Sequence, residues 1–290
     1  MMRALFKKFW SFSFFLGILG SSTTVFSEDY LCYIPGAGGL YPYTSDVIQP
    51  ELLKRDIPFV IFDTGEIGTI KQKAERVLAE WERLLDRDPQ AHCHLFGFSM
   101  GGVIGRYLSH HMEFSDRKVV KERLLSFTTA STPHRGTPLA NFLRRYSPGM
   151  FPDLEELDAK GLEKYNNPKY KETYSPEIEG IPNLSYVTYV NSVDDTNGSL
   201  GRVGYQYIVK KIQQDNRLNN QSRSIQNDGI VPRDSQAFGR VIWEREVNHS
   251  FFHMETEGSD QYSPMDFFEE HWEMLMDYEE PTIMSIMGLN

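Results

Sequence analysis

The chain has 290 residues, 40% hydrophobic and 24% charged, the proportions of an ordinary globular protein with enough apolar material for one sizeable core. These values do not favour a disordered chain, and no internal repeat or low-complexity tract interrupts the sequence. The formal net charge of −10 at pH 7 argues against a general binder of nucleic acid or of anionic membrane surface.

Residues 1–27 read as a secretory signal peptide. Arg3, Lys7 and Lys8 form a basic start, and Phe9–Gly20 is an apolar stretch too short for a comfortable membrane span. Val25 and Ser27 fit a small-residue cleavage pattern, with Glu28 as the first mature residue. An uncleaved membrane anchor is the alternative reading. The segment carries three basic and no acidic residues, so its removal takes the net charge from −10 to −13. Export makes the expected location secreted or periplasmic, with residues 28–290 forming one domain. No later run is long and apolar enough to span a bilayer.

Strand-like and helix-like patterns then alternate. Tyr30–Ile34 is apolar and runs into Pro35-Gly36-Ala37-Gly38-Gly39, a buried strand feeding a tight loop. Phe59–Phe62 is a second strand. Ile70, Ala74, Val77, Leu78, Trp81, Leu84 and Leu85 follow a helical period with charges between them. Leu95–Phe98 is a third strand, and Ser99–Leu108 opens a helix. Leu125–Thr129, Tyr186–Val190 and Val241–Trp243 are later strands. Such alternation predicts an α/β fold with a mostly parallel sheet and helices on both faces. Residues 139–184 break the rhythm with five prolines and many Tyr and Asn, and read as an inserted cap or lid. Cys32 and Cys93 each lie in a predicted strand, four residues before Gly36 and Gly97. Adjacent strands would let them pair; otherwise they are two buried thiols.

Gly97-Phe98-Ser99-Met100-Gly101 is a GxSxG string between an apolar strand and a helical segment, the context a nucleophile elbow requires. A serine hydroxyl needs a base to take its proton, and the base needs an orienting carboxylate. In chain order these are Asp228, in Asn227-Asp228-Gly229-Ile230-Val231-Pro232, and His249, in Asn248-His249-Ser250. Asp194 and Asp195 are rival acids and His253 is the rival base. His249 and His253 could instead share a helix face as a metal pair, but the Glu of a zinc-protease helix is missing. His92 with His94, and His110 with His111, read as packed or solvated side chains. Charge developing on an acyl oxygen needs two backbone N–H donors, for which Ala37 and Met100 are placed. A phosphate-cradling loop is the rival reading of the first turn, but Gly36, Gly38 and Gly39 do not match GxGxxG and no GK[ST] follows. The chemistry needs no cofactor.

Taken together, five strings resemble the secreted bacterial triacylglycerol lipases of the Pseudomonas/Burkholderia type, members of the α/β-hydrolase fold. They are Leu95–Gly102 with Arg106-Tyr107, Ser131–Ala140, Leu157–Lys160 followed by Tyr165-Asn166, Asn227–Val231, and Asn248-His249. The resemblance implies hydrolysis of acyl esters or lipids, a mobile lid and a transient lipid interface. It implies Ser99, Asp228 and His249 as a triad and Ala37 and Met100 as oxyanion donors, in a protein exported by a bacterium. Three departures matter. Pro35-Gly36 stands where that family has His-Gly. Phe251 stands where it has a calcium-binding aspartate. The cap's main apolar residues are only Phe142, Leu143, Tyr146, Met150 and Phe151, which favours soluble or short-chain esters over oil droplets. An acyltransferase with the same triad, and a non-catalytic lipid-binding protein on a hydrolase scaffold, are the alternative functions.

Overall fold

The computed structural model describes residues 29–39, 42–114, 122–146, 152–158, 160–166, 177–252 and 262–277. The signal-peptide segment, His253, Met150 and Phe151 lie outside them. Six strands form one parallel sheet: β1 (Asp29–Ile34), β2 (Phe59–Ile61), β3 (His92–Phe98), β4 (Leu124–Ala130), β5 (Asn183–Tyr189) and β6 (Arg240–Glu246), in the spatial order β2-β1-β3-β4-β5-β6. All six were expected, each within a few residues of its observed bounds. The helices are α1 (Gln49–Lys54), α2 (Ile70–Arg87), α3 (Met100–Phe114), α4 (Pro138–Tyr146), α5 (Gly198–Asn219) and α6 (Pro264–Asp277), with single turns at Glu163–Asn166 and Arg233–Gln236. No described helix is long and apolar enough to cross a membrane.

Alternation along the central strands sorts the core into two layers. Cys32, Ile34, Leu95 and Phe127 face α2 and α3, meeting Val77, Trp81, Val103 and Ile104. Leu31, Tyr33, Phe96 and Phe98 face the other way, toward α1 and an aromatic cluster with Phe267 and Phe268 of α6. The central strands β1, β3, β4 and β5 are largely buried on both sides, so they read as mostly apolar runs. Helix α2 begins at a capping box in which Thr69 and Gln72 satisfy each other's backbone N–H groups.

The sheet register settles the cysteines. Cys32 pairs with Leu95 and Cys93 with Tyr30, so the two thiols sit diagonally on one face of neighbouring strands. They form a disulfide with Cα atoms 5.7 Å apart, both fully buried. Cross-linking residues 61 apart constrains the unfolded chain by about 4 kcal/mol on a loop-entropy account.

A third, smaller cluster lies off the sheet. Leu139 of α4 meets Ile208 and Ile212 of α5, with Phe142, Leu143 and Ile230 packed against them. Helix α5 was not anticipated. Gly198, Gly201 and Gly204 and a polar second half blur its period. Within the expected cap, residues 139–184, the described parts are α4, a 3₁₀ turn at Pro152–Leu157, the turn at Glu163–Asn166 and the approach to β5.

Besides His249, three imidazoles are buried in this frame among the described residues. His94 Nδ1 lies 2.8 Å from Ser126 Oγ, and His271 Nδ1 lies 2.8 Å from Tyr186 Oη. Burial, reinforced by neighbouring His92, pushes His94 down to about 4. Burial and neighbouring His94 push His271 down to about 3. Burial, with Arg106 and Arg135 nearby, holds His134 well below the ordinary imidazole value. Below about pH 6.5 the unfolded chain takes up protons on these rings that the folded state refuses. Stability is therefore complete above that pH and falls as the pH is lowered toward the folded-state values. Denaturant midpoints measured between pH 7.5 and pH 5 are expected to decline steadily below about pH 6.5; a flat profile across that interval contradicts this account.

Candidate active site

The chain bends sharply where β3 ends. Ser99 has φ +53°, a left-handed conformation that costs a residue with a Cβ on the order of 1–3 kcal/mol. Its neighbours make the bend possible. A Cβ on Gly97 would meet Gly102 Cα at 2.6 Å, and one on Gly101 would meet the Ile34 carbonyl at 2.1 Å. Only glycine fits at either position. The Ser99 N–H donates to the Ala130 carbonyl at 2.9 Å, and the Gly102 N–H donates back to the Ser99 carbonyl at 3.1 Å. The serine is thus clamped between two strand ends and the first turn of α3.

The loop after β1 presses on the same point. A Cβ on Gly36 would come within 3.0 Å of Ser99 Cβ. Gly38 (φ +88°) and Gly39 (φ +79°) turn the chain there, so Ala37 and Gly38 join Ser99 in the wall of one cavity. Met100 follows Ser99 as the first residue of α3, where N–H groups lack intrahelical acceptors. Pro35 occupies its place without disturbing this packing: the Gly39 N–H still closes the turn on the Gly36 carbonyl.

Asp228 sits in a tight turn and is 1% exposed. Its Oδ1 accepts from the N–H groups of Ile230 (3.0 Å) and Val231 (2.7 Å). Its Oδ2 lies 2.9 Å from His249 Nδ1, and the His249 N–H donates to the Asp228 carbonyl at 2.9 Å. His249 Nε2 lies 2.9 Å from Ser99 Oγ. Phe98 backs the imidazole, its ring centroid 5.2 Å away, and Phe252 packs behind Phe98. Ser99, Asp228 and His249, 150 residues apart at the extremes, are therefore one hydrogen-bonded chain. With Nδ1–H held by a carboxylate, Nε2 is free to accept the serine proton, and the charge formed on the ring faces Asp228.

The rivals within the described residues are elsewhere, and His253 lies outside those residues. Asp194 and Asp195 lie in an exposed turn, where Asp195 accepts from the Ser192 N–H. His92 Nδ1 lies 3.4 Å from Asp29, and His92 Nε2 lies 3.1 Å from Arg123. His94 belongs to the core, and His110 and His111 lie toward the end of α3. Phe251 is buried against Phe252, Tyr262 and Phe267, so it adds to the aromatic core and offers no ligand for a calcium ion. Among the described residues no group of three or more His, Cys, Asp or Glu could hold a metal ion.

The serine opens onto a cavity of about 410 Å³. Its walls are largely apolar, with Leu139, Leu143, Leu154, Leu157, Ile230 and Val231 prominent, and its only ionisable lining groups among the described residues are Asp228 and His249. Leucines make up much of the apolar lining, two of them in the short 3₁₀ turn, and neither Phe142 nor Tyr146 of the cap contributes to it. Phe142 instead stacks with Tyr146 and Tyr207, both at 4.8 Å, and Tyr146 is exposed. Residues Asn197–Gly201, opening α5, complete the wall. Sequence patterning gave no sign of them, because a polar glycine-rich string carries no period.

Helix α5 reaches the cavity by riding directly on the acid turn. Gly229 (φ +97°) lies under Gly201 and Gly204, and a Cβ on Gly204 would sit 2.0 Å from the Gly229 carbonyl oxygen.

No protein-family profile matches the chain. Solved structures do. A metagenomic carboxyl esterase, MGS0156, superposes with a TM-score of 0.64 at 15% identity, covering 89% of this chain and 78% of that one. The mature form of the Bacillus licheniformis lipase BlEst2 superposes with a TM-score of 0.60 at 12% identity, covering 86% and 92%. Lipase 1 from Pelosinus fermentans gives 0.56 at 12% identity, covering 84% and 98%. At these identities the likeness is one of fold, and the chain has the α/β-hydrolase fold.

The close seat of α5 yields a prediction. Gly204→Ala forces its methyl group into backbone that cannot yield, and should lower stability by about 1–3 kcal/mol in chemical denaturation. Gly201→Ala meets only the Thr196 side chain at 3.3 Å and should be tolerated. Equal stability of the two variants would show that α5 is not seated on the acid turn.

Proposed function

We propose that this protein is a serine carboxyl-ester hydrolase of the lipase/esterase kind, acting on neutral esters with aliphatic acyl groups. One observation carries the reading: a buried carboxylate, an imidazole and a strained serine hydroxyl in hydrogen-bonded sequence, opening onto an apolar cavity. The fold it shares with esterases and lipases supports the same conclusion.

The steps follow from the geometry. Ser99 Oγ attacks the acyl carbonyl as His249 Nε2 takes its proton. The N–H groups of Ala37 and Met100 hold the oxygen on which charge gathers. The imidazolium, stabilised by Asp228, protonates the departing alcohol, leaving the acyl group on Ser99. His249 then activates a water molecule that releases the acid and restores the serine. No cofactor takes part. The leucine walls receive the acyl chain, since burying apolar surface is worth roughly 25 cal/mol per Å². The same walls disfavour a charged acyl group, which would lose its hydration without a partner.

The lining supports substrates of the triacylglycerol-lipase type as well as soluble esters. Leu200, 47% exposed, extends the apolar wall to the outer surface, where it would meet a lipid interface in passing. The Cys32–Cys93 bridge supports a working location outside the reducing cytosol, secreted or periplasmic.

Ser99→Ala is expected to cut p-nitrophenyl ester turnover by on the order of 10⁴-fold or more, with circular dichroism and melting temperature retained. Turnover at the wild-type rate would remove Ser99 from the chemistry.

A further inference from the structure

The carboxylate of Asp228 receives more than its own turn supplies. Oδ1 is occupied by the local N–H groups of Ile230 and Val231. Oδ2, the oxygen that faces His249, also accepts from Thr188 Oγ1 at 2.9 Å, with Gln236 Nε2 at 3.4 Å. Thr188 lies on β5, 40 residues before the acid, and Gln236 lies in the single turn Arg233–Gln236. The turn around Asp228 closes through Ile230 and Val231 without either of them.

The direction of each bond is fixed by what surrounds it. The Thr188 N–H donates to Gln236 Oε1 at 2.8 Å, and Gln236 Nε2 donates to the Thr188 carbonyl at 2.9 Å. The peptide of Thr188 therefore orients the amide and turns Nε2 toward the acid. The Thr188 hydroxyl has one hydrogen and two acceptors within reach, Asp228 Oδ2 at 2.9 Å and Gln236 Oε1 at 3.2 Å, of which the carboxylate is the nearer and the stronger. Ser131 Oγ, 2.7 Å from Thr188 Oγ1, then donates to it. Ser131 is fully buried at the end of β4 with φ +50°, a conformation that glycine would hold more easily. What serine contributes there is the hydroxyl.

Resting on the reading of Ser99, Asp228 and His249 as a triad, we propose that Thr188, held in place by Ser131 and Gln236, is a positioning residue for the acid. It pins Oδ2 against His249 Nδ1 and stops the carboxylate from turning away during the proton transfers. None of these three side chains lines the cavity, so their contribution falls on turnover and not on substrate affinity.

Steady-state kinetics on a p-nitrophenyl ester test this. Thr188→Val keeps the shape and removes the donor; kcat should fall about tenfold with KM unchanged. Thr188→Ser restores the hydroxyl and should recover most of the loss. Ser131→Gly relieves the backbone while deleting the hydroxyl, so its melting temperature should hold or rise while kcat falls a few-fold. In an Asp228→Asn background, Thr188→Val should cost nothing further, because the two act as one unit. The proposal is overturned by an unchanged kcat in Thr188→Val, by a loss carried in KM, or by the same fold-loss in the Asp228→Asn background. If Thr188→Val does not fold, Ser131→Gly decides alone, and an unchanged kcat there overturns it. Wild-type turnover by Ser99→Ala would bring down the triad and this proposal together, whereas an inactive Ser99→Ala beside an unaffected Thr188→Val brings down the positioning role only.

Discussion

The molecule is organised around one crowded bend. At the end of β3 the backbone reverses from strand to helix within a residue, and Ser99 sits at φ +53° where Gly97 and Gly101, lacking Cβ atoms, let the surrounding backbone close in. That strain is sustained by the rigidity of what surrounds it. The sheet is covered on both faces, the Ser99 N–H is tied to the neighbouring strand, and Gly36 closes over its Cβ. The Cys32–Cys93 bridge joins β1 to β3. These are the two strands whose ends carry Ala37 and Ser99, so the covalent link lies beneath the two loops whose spacing matters most.

Further contacts fix the other half of the site to the same frame. The acid turn receives hydrogen bonds from its own backbone and from β5, and it supports α5 through a glycine-on-glycine approach. His249 is bonded to Asp228 through both main chain and side chain. Moving α5 would disturb the acid, and moving the acid would disturb the base. The cavity wall and the hydrogen-bonded series Ser99, His249 and Asp228 are therefore one mechanical unit, with the leucines of α4 and the 3₁₀ turn closing the remaining side.

Much of this was legible in the sequence. The central strands are apolar because both faces are buried, and the GxSxG string stood out because it followed such a strand. Asp228 and His249 were singled out by chain order and turn chemistry, ahead of Asp194 and Asp195, whose loop looked equally polar, and the structure brings both to Ser99. The cysteine pairing stayed open because it depends on register between strands, which no local pattern encodes. Helix α5 escaped because its buried face is made of glycine and two isoleucines, which leaves hardly any apolar period. Thr188 and Gln236 carried no signal: one is a β-branched residue in a strand, the other an ordinary glutamine, and only tertiary placement brings them to the acid. The sequence could not say which cap residues face the cavity: Phe142 turns toward Tyr207 on α5, while Leu143 and other leucines line it.

The central claim is that a single hydroxyl is made reactive by an imidazole brought to it from 150 residues away. Treating the folded protein with a fluorophosphonate and mapping the adduct by mass spectrometry interrogates that hydroxyl directly. One stoichiometric adduct on Ser99, lost when His249 is replaced by alanine, is the expected result. No adduct, or one on another residue that forms equally well without His249, would contradict the account.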